Sequence, residues 1–131
     1  MNISLSDLPS IMAVQHRVLK DLKKKTGLRQ RDWEVLCACD RLALANYPFT
    51  AAKIDAYMLG AYFLPCIYDS INVLLGKGFI QVVVPGKPFR PESYELNSTG
   101  KALVRECTNR LRCLYEQQDE RVVGIPLSRV W

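Results

Sequence analysis

Residues 62–100, YFLPCIYDSINVLLGKGFIQVVVPGKPFRPESYELNSTG, constrain this chain more than any other stretch. Pro65 suits a first helical position, where its missing N–H costs nothing. Ile67, Ile71 and Leu74 then fall at i, i+4 and i+7, the spacing of one core-facing helix side. Gly78 stands where a C-cap glycine would end a helix over 64–76. The β-branched and aromatic run 79–84 reads as a strand. Three prolines, Pro85, Pro88 and Pro91, keep 85–92 out of regular structure, and 93–96 reads as the returning strand. Asn97 or Ser98 can cap a last long helix, about 98–120, with Leu103, Cys107, Leu111 and Leu114 on one side.

Upstream, Ser6 or Asp7 can cap a first helix that tolerates Pro9 in its first turn and ends at Gly27. Its apolar residues near helical spacing are Leu8, Ile11, Met12, Val18, Leu19 and Leu22. A second helix over about 30–45 carries Trp33, Leu36, Cys37 and Leu44, and Asn46-Tyr47-Pro48 stops it, since a residue before proline avoids the α region. Thr50 caps a short helix over 51–59 with Ile54 and Met58 on one face, and Gly60 supplies the turn. The order is therefore α-α-α-α-β-β-α. The fold class is mainly α with a small β-hairpin, in a chain of one domain by length, 131 residues.

Charge points toward an acidic partner. The formal net charge is +5 and the sequence pI about 9.0, the balance of proteins that meet nucleic acid or anionic surfaces. Between Arg17 and Arg31 seven cations stand against Asp21 alone. Phosphate contact and a solvated helix end are both open readings of that run. Between Thr50 and Gly78, by contrast, Lys53 and Lys77 are cancelled by Asp55 and Asp69.

Several classes fit poorly. The N-terminus lacks a charged region followed by a long apolar run, and no stretch approaches a membrane span, so a cytoplasmic protein without membrane attachment is expected. Its cysteines, Cys37, Cys39, Cys66, Cys107 and Cys113, should then be mostly reduced. They form no CxxC pair, and His16 is the lone histidine, so neither a metal site nor any cofactor is expected. They read as small buried hydrophobes, with Cys66 the best placed for the alternative role of redox sensor. The motifs P-loop, GxGxxG and HExxH are absent, and the aspartates lack metal-loop spacing; an enzyme is not expected.

Four segments together resemble the MarR family of winged-helix transcription regulators. Leu28-Arg29-Gln30-Arg31-Asp32-Trp33-Glu34-Val35-Leu36 is similar to that family's opening of the second helix. Phe49-Thr50-Ala51-Ala52-Lys53-Ile54 is similar to the opening of the helix before recognition. Asn72-Val73-Leu74-Leu75-Gly76-Lys77-Gly78-Phe79-Ile80 resembles the passage from recognition helix into wing. Leu96-Asn97-Ser98-Thr99-Gly100-Lys101-Ala102-Leu103 resembles the exit from the wing. Each piece is degenerate; their order and spacing carry the likeness over about 28–104.

The resemblance implies a winged helix-turn-helix domain with long N- and C-terminal dimerisation helices: a core over about 28–100, and dimerisation elements over about 6–26 and 98–131. It implies a homodimer on double-stranded DNA with a palindromic operator, and often a small-molecule effector. Helix 64–76 would enter the major groove and wing 85–92 would lie on the adjacent minor groove or backbone. The DNA-binding residues expected on this basis are Lys53, Pro65, Cys66, Tyr68, Asp69, Asn72, Lys87 and Arg90. Asn72 is suited to adenine, Tyr68 to phosphate, and Asp69 to a cytosine amino group. Arg90 suits the minor groove and Lys87 a phosphate. Tyr57, Tyr62 and Phe63 either line an effector pocket or simply pack. Sequence-specific transcriptional regulation is the leading function. A winged-helix protein–protein module without DNA binding, and a DNA-binding accessory protein of a mobile element or phage, are the rivals.

Overall fold

The computed structural model describes residues 8–45 and 48–124. Ser6, Asp7, the Asn46-Tyr47 stop and the tail after Gly124 lie outside the described residues. The elements are α1 (Leu8–Thr26), α2 (Gln30–Ala43), β1 (Phe49–Thr50), α3 (Ala51–Tyr57), α4 (Leu64–Gly76), β2 (Ile80–Val84), β3 (Ser93–Leu96) and α5 (Ser98–Gly124). They divide into two compact units: α1 with α5 from Glu106 onward, and Gly27–Arg105. No described helix is long and apolar enough to cross a membrane.

In the first unit α1 buries Val14, Val18 and Leu22, a row of i, i+4 and i+8. The stripe expected from sequence is displaced from this row. Met12 is 60% exposed and Leu8 49%, because at 3.6 residues per turn Met12 lies roughly 120° round the helix from Val18. Gly27 takes φ 78° and ends the helix. The basic run is partly engaged in intramolecular surface pairs: Lys25 Nζ meets Glu106 Oε1 at 2.6 Å, and Asp21 forms ion pairs with Arg17 and Arg110.

The second unit surrounds a core of Leu28, Trp33, Val35, Leu36, Cys39, Phe49, Ile54, Ile67, Ile71, Leu74, Ile80, Tyr94 and Leu96. α4 keeps the bounds its sequence pattern requires, and Ile67, Ile71 and Leu74 are all fully buried. It ends in a Schellman motif: Gly78 N–H donates to the Leu75 carbonyl and Phe79 N–H to that of Leu74. Leu44, expected in the α2 stripe, is exposed, because α2 ends at Ala43 and Leu44 belongs to the turn after it.

Two expectations need correction. The sheet is not a bare hairpin but three-stranded, in the order β1-β3-β2, with Phe49 opposite Tyr94 and Thr50 opposite Ser93. A two-residue strand leaves no alternating pattern in sequence; only the distant partner β3 makes it one. α3 is also shorter than expected. It stops at Tyr57, and Leu59, not a glycine, takes the left-handed position that closes it, at φ 56°. Gly60, at φ 67°, follows it through the turn.

Candidate nucleic-acid interface

α4 is held on α2 by a buried polar link. Ser70 is fully buried on the apolar side of α4, and its Oγ donates to Asp32 Oδ1 at 2.8 Å while accepting from Arg31 Nε at 2.8 Å. Asp32, 1% exposed, also accepts from the Arg29 backbone N–H at 3.0 Å and from Arg29 Nε at 3.1 Å. The backbone bond is the carboxylate half of a capping box at the start of α2; Arg29, which has no acceptor, cannot return the other half. Burial pushes the Asp32 carboxyl up, but the bonds from Arg29 and Ser70 outweigh it, so its pKa lies below the ordinary 3.8. A second tie, from Tyr62 Oη to Glu34 Oε2 at 2.6 Å, joins the turn before α4 to α2 and raises the tyrosine's pKa.

This anchoring turns the other side of α4 outward. Pro65, Tyr68, Asp69 and Asn72 are exposed and Cys66 is half-buried. Pro65 sits in the first turn after the Phe63 cap. The Asp69 charge is felt by the Arg29 guanidinium, whose pKa is raised first by its bond and charge contact with Asp32 and then, less, by Asp69. On α3, Lys53 is exposed near the helix start, where its backbone N–H donates to Thr50 Oγ1 at 3.3 Å.

The wing departs from β2 through a bulge between Val82 and Val84. Its tip is a two-residue reversal: Lys87 N–H donates to the Arg90 carbonyl at 2.8 Å and Arg90 N–H to the Lys87 carbonyl at 3.0 Å. Pro88 and Phe89 occupy the turn between them. Lys87 and Arg90 are exposed, and neither is in an ion pair among the described residues. At the wing's exit, Asn97 caps α5 by accepting from Gly100 N–H at 2.9 Å. Asn97 also ties back to the Gly78 carbonyl, linking the C-cap of α4 to the N-cap of α5.

All eight residues singled out from sequence thus lie on α3, α4 or the wing, and seven are exposed, Cys66 being the half-buried exception. Sequence reasoning missed Asp32 and Ser70, the pair that orients α4. The available signal was Ser70 itself, a polar residue beside Ile67, Ile71 and Leu74 on the buried stripe. It also missed Phe89 at the wing tip, with 102% relative exposure. Tyr57 and Phe63 are exposed at 50% and 83%, so neither packs inside, and Tyr62 is the partner of Glu34. Of the five cysteines, Cys39 and Cys107 are buried, Cys37 and Cys66 half-buried and Cys113 exposed. Burial raises the Cys39 and Cys107 thiol pKa values. Among the described residues no three metal-ligating side chains cluster.

A helix-turn-helix followed by a two-stranded wing, with a third short strand closing the sheet, defines a winged helix-turn-helix protein. The fold is similar to that of solved MarR-family regulators. Apo MarR from E. coli superposes with a TM-score of 0.61 at 18% identity, covering 99% of this chain and 91% of that one. A MarR-family regulator from Rhodococcus gives 0.60 at 22%, covering 98% and 89%. A variant of MepR from S. aureus bound to an oligodeoxyribonucleotide gives 0.61 at 12%, covering 98% and 88%. No family model matches the sequence, and no curated protein does.

Proposed function

We propose that this protein is a homodimeric, sequence-specific DNA-binding transcription regulator. α4 reads the major groove, and the wing over 85–92 lies on the adjacent minor groove or backbone. The observation that carries this reading is the outward face of α4, where Tyr68, Asp69 and Asn72 project from a helix whose opposite side is locked by Ser70 and Asp32. A helix fixed in this way presents its polar side chains at a set orientation, as base readout requires. The fold likeness to an oligonucleotide-bound MepR supports the same reading. Because charges cancel over 50–78, the wing cations Lys87 and Arg90 supply more of the backbone grip than α4 does.

One observation favours a second reading. Tyr57, Leu59, Phe63 and Leu64 are exposed around the α3–α4 turn, as they would be in a module that docks another protein. A salt titration on a random-sequence duplex separates the two. DNA binding predicts log affinity falling with log salt by about 0.9 per phosphate contacted. No measurable binding at low salt would refute DNA recognition and leave the docking module.

A further inference from the structure

We propose that Phe89 is an apolar wedge, inserted by the wing between neighbouring base pairs of the minor groove, so that the protein bends the DNA it binds. The inference rests on the DNA-binding reading above and goes beyond it. A wing that only neutralises phosphate needs cations at its tip, and this one places an aromatic ring ahead of them.

Three features point to insertion. First, Phe89 has 102% relative exposure, so its ring makes no use of the protein's own core. Second, its backbone is built to hold it there. The reciprocal Lys87–Arg90 hydrogen bonds close a turn whose two central residues are Pro88 and Phe89. Pro88 fixes its own φ, and Pro85 and Pro91 stiffen the arms. The ordering entropy of the tip is therefore largely met before any partner arrives. Third, Lys87 and Arg90 bracket the Pro88-Phe89 turn, and both are exposed with no ion pair among the described residues. A ring entering a base step from the minor groove has phosphates on both sides, which is where two flanking cations are satisfied. Side chains of this kind unstack a step and kink the duplex by roughly 20–90°.

The test uses the full chain and a 30-base-pair duplex recovered by selecting bound sequences from a random pool, with 2-aminopurine placed in turn at each step. Anisotropy measures binding, 2-aminopurine emission measures unstacking, and end-to-end energy transfer measures the bend. Wild type should raise emission about two-fold or more at one or two adjacent steps and shorten the end-to-end distance, as wedge insertion does. Phe89→Ala should bind the same duplex but lose both signals, while Phe89→Leu, which keeps an apolar wedge, should retain most of each. If wild type binds and the Phe89→Ala complex shows the same unstacking and bend, the wedge is refuted while DNA recognition stands. If wild type binds no duplex at all, both fail. Sedimentation with phosphatidylglycerol vesicles that depends on Phe89, with no unstacking on DNA, would overturn the wedge in favour of a lipid surface.

Discussion

Single residues decide how α4 is held. Asp32 combines near-complete burial with a pKa below its ordinary value, so it binds fewer protons folded than unfolded. Its stabilising contribution is therefore complete above the unfolded value of 3.8 and is lost as pH falls through the lower folded value. Asp32→Asn should lower the melting temperature at pH 7, by a loss of roughly 1–3 kcal/mol for a disrupted buried hydrogen-bond set. The gap between wild type and variant should narrow between about pH 5 and pH 2. A gap constant with pH, measured by thermal melts, would mean that the carboxylate charge plays no part. Gly100 is held by a different constraint. A Cβ there would lie 2.2 Å from the Phe79 carbonyl oxygen and 2.7 Å from Leu96 Cδ1, and α5 starts this close to the sheet because Asn97 bonds both ways. Gly100→Ala should cost about 1–3 kcal/mol through overpacking, read as a lower urea midpoint; an unchanged midpoint would show that the α5 start can shift freely.

At the scale of elements, the proposed reading has the wing carry the affinity that α4, whose one charged side chain is Asp69, does not supply. Arg90→Ala should weaken binding to the selected duplex several-fold and reduce the salt slope by about one unit if the lost contact is to phosphate. Unchanged affinity would remove the wing from the interface. How well each element could be read from sequence follows the range of the interaction that makes it. α4 was legible to its ends because its helix former pattern, Pro65, Gly78 and the Ile67-Ile71-Leu74 stripe all act within one or two turns. The Asn97 cap was legible for the same reason. β1 was not, since Phe49–Thr50 becomes a strand only through pairing with β3 more than forty residues later. Nor was the end of α3, because Leu59 adopts a left-handed conformation that its side chain disfavours. In the candidate site, exposure of Tyr68, Asp69 and Asn72 followed from helix periodicity. The Asp32–Ser70 link joins residues 38 apart in sequence, and no local pattern contains it.

For the whole molecule, the proposed function requires two copies, since one α4 reads only half a site. α1 leaves Leu8 and Met12 substantially exposed, turned away from its buried Val14-Val18-Leu22 row. Apolar side chains displaced from a monomer's core are suited to a partner's. Burying each more fully at a two-fold interface would contribute about 1–2 kcal/mol, counted twice by symmetry. The chain of 14.9 kDa should accordingly sediment as a dimer at micromolar concentration, and Leu8→Lys with Met12→Lys should shift it toward monomer without unfolding it. Selection from a random pool should then return inverted repeats with half-site centres about 10 base pairs apart, because a two-fold axis sets two recognition helices roughly one turn of DNA apart. The double variant should lose affinity for the paired site far more than for an isolated half-site, since only the dimer links the second binding event to the first. A wild-type monomer, or selected sites without inverted symmetry, would remove the dimer from the proposal and leave each wing and α4 to act alone.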